Sequence, residues 1–115
     1  MNGYFEGGEP IELFGHRGRL LNELIWHKDG WKFRVPAGFV YDGASIPDVA
    51  WSIVGHPFMR GYRRPAALHD FMCREKFWPS HIVHDMFYDC LRAEGVAWWR
   101  AKLMHYAVAN FGPKW

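Results

Sequence analysis

The spacing of apolar positions changes character once along this chain, near residue 60. Before that point, short branched or aromatic segments alternate with glycine-rich breaks. Beyond it, apolar residues return every three or four positions. Ile11-Glu12-Leu13-Phe14 reads as a short strand and Gly15-His16-Arg17-Gly18 as a turn. Residues 20–27 and 31–35 flank Lys28-Asp29-Gly30, and Asp-Gly between two such segments predicts a hairpin. Trp26, Trp31 and Phe33 are expected sheet residues, and Pro36 ends the pairing because it lacks an N–H. Residues 1–9 are glycine-rich and expected to be loose, with Tyr4 and Phe5 free to dock. Residues 37–47 read as a loop, and residues 48–54 as a short helix broken by Gly55-His56-Pro57.

Residues 61–77 are expected to form the first long helix, with Pro65 in its first turns, where a missing N–H is tolerated. The break at Phe77-Trp78-Pro79 turns the chain back. Ser80 is expected to cap a second helix over residues 80–94, whose apolar stripe is Ile82, Val83, Met86, Phe87, Cys90 and Leu91. His81, Asp85, Tyr88 and Asp89 flank that stripe. Gly95 ends this helix. Residues 96–110 form a third, with Trp98, Trp99, Leu103, Tyr106 and Ala107 as its apolar positions. The expected class is α+β: a small N-terminal antiparallel sheet of two or three strands, then three helices, the first two antiparallel. The chain reads as one domain over residues 1–115, comprising a hairpin part (1–36), a loop with a short helix (37–60) and a helical part (61–115).

A chain of 115 residues can bury roughly two thirds of its unfolded surface as one domain. With 18% aromatic residues it has either a core of large rings or rings on a binding face. A net charge of +2, with no basic run longer than Arg63-Arg64, argues against nucleic acid as the main partner. Cys73 and Cys90 diverge along the antiparallel helices, so no disulfide is expected, and two free thiols favour a reducing compartment. The N-terminus does not read as a signal peptide, and no apolar stretch approaches the ~20 residues of a membrane span.

His69 and Asp70 are adjacent, so on a helix they point about 100° apart and serve different neighbours. His69 is expected to meet Asp85 across the helix pair. A carboxylate on one ring nitrogen fixes the tautomer and leaves the other nitrogen to take a proton from water. The bland alternative is a buried histidine with a satisfied partner. Asp42 and Asp70 are the best candidate cation site, as hard oxygen ligands beside a loop able to aim carbonyls inward. Against it stand a turn role for Asp42 and a solvated or ion-paired Asp70. Zinc is a further alternative, since His81 and His84 are three apart and His69 and Cys73 four apart on helices. Cys73 as a nucleophile has no evident activator, and Ser45 reads as a loop-ordering hydroxyl.

Val35-Pro36-Ala37-Gly38-Phe39, Asp42-Gly43-Ala44-Ser45-Ile46-Pro47, Ala66-Ala67-Leu68-His69-Asp70 and Asp85 resemble a family of short uncharacterised proteins of phages and prophages. More distantly, His69-Asp70-Phe71, Arg74, Ser80, Asp85, Phe87-Tyr88, Arg92, Tyr106-Ala107-Val108 and Phe111-Gly112 fall in an order similar to bacterial secreted phospholipase A2. That resemblance implies His69 as base, Asp85 as its orienter, and Asp42, Asp70 and the Gly43 carbonyl as calcium ligands. Calcium would then polarise the ester carbonyl. Three departures stand out: Cys73 replaces the usual tyrosine four residues after the histidine, the disulfides that tie the secreted enzymes are not expected here, and the loop 42–47 is short and lacks the usual cysteine. The implied function is a phage lipid esterase acting on a host membrane, with Trp51, Phe58, Trp78, Trp98 and Trp99 available for the lipid surface. The alternatives are a non-catalytic virion component of the tail or tail tip, bound to other virion proteins, and a small binder of a host protein. In all three, synthesis in the host cytoplasm is expected.

Overall fold

A computed structural model describes residues 3–115. Its order is β1 (Tyr4–Gly7), β2 (Ile11–Phe14), β3 (Arg17–Leu20), β4 (Leu24–Lys28), β5 (Trp31–Val35), β6 (Val40–Tyr41), α1 (Asp48–Val54), α2 (Arg63–Glu75), α3 (Ser80–Ala93) and α4 (Trp98–Phe111). The class is α+β, as expected, but the strands form two antiparallel three-stranded sheets, ordered β1-β4-β5 and β2-β3-β6.

The hairpin falls where Asp-Gly placed it. Asp29 and Gly30 both adopt positive φ, 51° and 82°, which is the backbone a two-residue turn between twisted strands requires. Lys28 faces Trp31 and Leu24 faces Val35 at its two ends. Tyr4–Gly7 is a strand rather than a loose segment, because it pairs with β4 and packs Phe5 against Trp26. Met1 and Asn2, part of the same expectation, lie outside the described residues. β6 corrects the expected loop over 37–47: Gly18 faces Tyr41 and Arg19 faces Val40, so the chain enters that segment already hydrogen-bonded to β3.

The helices keep their expected places within two residues, with two corrections. Ser80 is the first residue of α3, not its cap; its hydroxyl donates to the Trp115 carbonyl at 3.3 Å. The face of α4 is also rotated. Ala101, Met104, Ala107 and Val108 are buried, whereas Trp98, Trp99 and Tyr106 are more than half exposed. Small residues there let α4 approach α3 closely, and the large rings are left outside. Consecutive helices joined by short breaks pack as neighbours, α2 on α3 and α3 on α4. The core joins Leu20, Leu24, Trp26 and Val35 of the sheets to Leu68, Phe87, Leu91 and Met104 of the helices. Cys73 and Cys90 are buried free thiols. No helix of the described residues is long and apolar enough to cross a membrane.

Candidate functional site

α2 carries Leu68, His69, Met72 and Cys73 on its buried face. Asp70, one position round the helix, emerges at the loop that follows β6. Gly43, at φ 77°, bends that loop over the helix, and a Cβ there would meet the Pro57 ring at 2.6 Å. The bend aims backbone N–H groups at the Asp70 carboxylate. Gly43 donates at 2.7 Å, Asp42 at 3.3 Å and Ser45 at 3.4 Å, and the Ser45 hydroxyl touches Asp70 Oδ1. Burial raises the Asp70 pKa above the usual carboxylate value; the Ser45 hydroxyl and the Gly43 N–H pull it back down.

From Ser45 a chain of polar contacts runs inward. Ser45 Oγ lies 2.8 Å from His69 Nδ1, His69 Nε2 lies 2.9 Å from His84 Nδ1, and His84 Nε2 lies 2.9 Å from the Pro113 carbonyl. Both imidazoles are 98% buried. Burial, with a smaller push from His84, lowers the His69 pKa to about 3, so this ring is neutral at ordinary pH. His84 is lowered too, for the same main reason.

The proton count of this chain is constrained. Pro113 offers only a carbonyl, so His84 carries its proton on Nε2 and leaves Nδ1 bare. A neutral His69 then either donates from Nε2 to His84 or donates from Nδ1 to Ser45. In the first case Ser45 donates to His69, and Asp70 must carry a proton to satisfy Ser45. In the second, Ser45 donates to an ionised Asp70, and two bare ring nitrogens face each other at 2.9 Å.

Cys73 completes the cluster. Its Sγ lies 3.7 Å from both ring nitrogens of His69, and burial pushes its thiol up to about 12. A thiol held so high is no nucleophile near neutral pH. Ser45, Asp70 and Cys73 line a groove of ≈ 590 Å³ with Arg17, Phe39, Tyr41 and Arg74. Neither Arg17 nor Arg74 forms an ion pair among the described residues. The buried Tyr41 hydroxyl also lacks a hydrogen-bond partner there.

Of the expected site residues, the structure brings His69, Asp70, Asp42 and Gly43 together and leaves Asp85 out. Asp85 is exposed on α3 and accepts from His105 Nε2 at 2.9 Å. His84, one residue earlier, holds the place beside His69 that Asp85 was expected to take. The three expected calcium ligands lie together and make other contacts. The Gly43 carbonyl already accepts from Ile46 N at 3.0 Å and Trp51 Nε1 at 3.3 Å. Asp42 Oδ1 caps Ala44 N at 2.8 Å. Around Asp70 the loop presents N–H donors, where a calcium shell needs oxygens. His81 is exposed and drops out, whereas the expected pair His69 and Cys73 stays together and His84 joins it. Ser45 was read as ordering the loop; its contact with His69 depends on a fold between positions 24 residues apart, which no local motif announces.

A family model described as "Protein of unknown function (DUF1353)" matches residues 19–108, and the chain belongs to that family. Two relatives are proteins of Sinorhizobium fredii (strain NBRC 101917 / NGR234). "Uncharacterized protein y4jT" is 46% identical over 114 residues, covering 98% of this chain and 33% of its own length. "Uncharacterized protein y4iH" is 43% identical over 74 residues, covering 64% of this chain and 31% of its own length. The chain thus spans about a third of the length of these curated relatives. No solved structure matches it significantly.

Proposed function

We propose that this domain is an esterase in which Ser45 is the nucleophile, His69 its base and His84 the residue that orients His69. The observation that carries this reading is the continuous polar chain from Ser45 through His69 and His84 to the Pro113 carbonyl. It places a hydroxyl where the phospholipase A2 scheme would hold water, and a histidine where that scheme would hold aspartate. In the state in which Asp70 carries a proton, Ser45 Oγ attacks the ester carbonyl and passes its proton to His69 Nδ1, while His84 Nδ1 accepts from His69 Nε2–H. The alcohol leaves with the proton from His69, and water then releases the acid from Ser45 by the same route. The groove suits an ester with an apolar part against Phe39 and Tyr41 and an anionic part between Arg17 and Arg74, which is the chemistry of a phospholipid. A base held to about 3 is weak, so turnover is expected to be slow, without the usual rise near pH 6.5.

A fluorophosphonate probe tests this directly, because Ser45 Oγ would bond to phosphorus as fluoride leaves. Labelling and hydrolysis of an anionic lipid ester are expected in the chelator-treated protein and absent from Ser45→Ala. Equal labelling of Ser45→Ala would remove the proposal. Hydrolysis that needs calcium and survives Ser45→Ala would restore the phospholipase A2 scheme.

A second reading draws on α4, where Trp98, Trp99 and Tyr106 are more than half exposed. These rings favour docking onto a partner protein, as for a virion component, with the buried polar chain serving only to hold the loop. Trp51, Phe58 and Trp78 pack against the core and are less available for a lipid or protein surface. Recovering the protein in stoichiometric amounts from purified particles, with no probe labelling, would favour this reading.

A further inference from the structure

We propose that His69 Nε2, Cys73 Sγ and His84 Nδ1 form a binding site for a thiophilic, imidazole-binding divalent ion of the zinc class. These three atoms lie within 4.8 Å of one another in the interior. Zinc bonds of ≈ 2.0–2.1 Å to nitrogen and ≈ 2.3 Å to sulfur set tetrahedral edges of roughly 3.3 Å between nitrogens and 3.5 Å between nitrogen and sulfur. The corresponding distances are 2.9 Å for His69 to His84 and 3.7 Å for His69 to Cys73, so these two edges need shifts of a few tenths of an ångström, and the third, Cys73 to His84, lies within 4.8 Å and closes by up to about 1.3 Å as the Cys73 side chain turns inward. Ligand type excludes calcium and magnesium, which take oxygen.

The outer contacts carry the argument further. A histidine bound to metal through one nitrogen donates from the other to a carbonyl or carboxylate. His84 does so to Pro113, and His69 reaches the Asp70 carboxylate through Ser45. With Asp70 ionised, that arrangement leaves two bare nitrogens facing each other beside a thiol. A cation between them removes the conflict without protonating Asp70 or either buried ring. Binding would release the Cys73 proton to solvent as the thiolate forms.

The metal and the esterase proposals are separable, because a metal on His69 Nε2 fixes the proton on Nδ1 and stops that nitrogen from accepting from Ser45. Zinc should therefore suppress fluorophosphonate labelling. The test titrates Zn²⁺ and Co²⁺ into chelator-treated protein, following affinity against a coloured chelator, proton release and the cobalt spectrum. One equivalent of zinc, one proton released at pH 7 and a tetrahedral cobalt spectrum with a sulfur-to-metal band are expected. Cys73→Ser, a near-isosteric change checked by circular dichroism, should weaken zinc at least 100-fold and abolish the sulfur band. His81→Ala should bind zinc as wild type does. Ser45→Ala should weaken it roughly tenfold, as outer-shell changes do. Absence of zinc binding in the wild type, or equal affinity in Cys73→Ser, overturns the inference. Metal bound with no labelling in either state upholds it and removes the esterase instead.

Discussion

His84 and Asp85 are neighbours in sequence and opposites in environment. His84 is buried, bonded to His69 on one side and to a carbonyl on the other, whereas Asp85 stands in solvent beside His105. Helix phase decides between them. His84 precedes Phe87 by three positions and Leu91 by seven, which places it on the buried stripe of α3. Asp85 falls in phase with Tyr88 and Asp89 at the edge. A polar residue inside the stripe has to be satisfied, and a polar residue beside it does not. The largest effect is therefore expected at His84. His84→Ala leaves a cavity, a His69 ring without a partner and an orphaned Pro113 carbonyl, for a loss of roughly 2–4 kcal/mol in urea unfolding. Zinc affinity should fall with it. A loss below 0.5 kcal/mol with zinc binding unchanged would show that the two positions do not differ in the way their surroundings indicate.

Acid separates the same two positions less sharply. His69 and His84 are both held below the ordinary histidine value by burial, so below about pH 6.5 the unfolded chain takes up protons that the folded chain refuses. That stability is present above the unfolded value and drains away as pH falls toward the His69 value of about 3. Asp70 acts in the opposite direction. Its raised pKa lets the folded state bind a proton before the unfolded one, which returns part of the loss in the carboxylate range. For chelator-treated protein, the urea midpoint should begin to fall as pH drops through about 6.5 and keep falling toward pH 3, more gently where Asp70 takes up its proton. His84→Gln should lessen the slope, and an unchanged slope would move the acid response away from the buried pair.

The elements most legible in the sequence were those whose signal is local. Asp29-Gly30 announced the hairpin, Gly95 and Gly112-Pro113 closed the helices, and the buried face of α3 followed from its apolar spacing. His69 and Asp70 were legible as a pair with divided duties, and so was the loop 42–47 as the partner of Asp70. What escaped depends on contacts between distant segments. Tyr4–Gly7 becomes a strand only because β4 offers an edge, and Val40–Tyr41 only because β3 does. On α4 the largest apolar residues read as the inner face, but packing against α3 buries Ala101, Met104 and Val108 beside the expected Ala107 and leaves the indoles outside. The same preference for a familiar residue type misplaced the partner of His69: a carboxylate was expected, and the helix turn supplied an imidazole. One residue of register turned a presumed acid–base dyad into a cluster of nitrogen and sulfur donors.

The smallest effect is expected where the sequence reading placed the most weight. Asp85 is paired with His105 at 2.9 Å, but its side chain is 67% exposed. Solvent screens such a pair, and holding two mobile side chains together offsets much of the attraction, so exposed pairs contribute at most about 1 kcal/mol. Asp85→Asn keeps the shape and an oxygen acceptor while removing the charge. The expected change in unfolding free energy is within about 0.5 kcal/mol, with no change in fluorophosphonate labelling of Ser45 or in zinc affinity. An orienting carboxylate would behave otherwise: its loss would cut labelling by orders of magnitude while leaving stability nearly intact. A tenfold or greater drop in labelling of Asp85→Asn would therefore bring Asp85 back to His69 in the working state and make His84 a bystander.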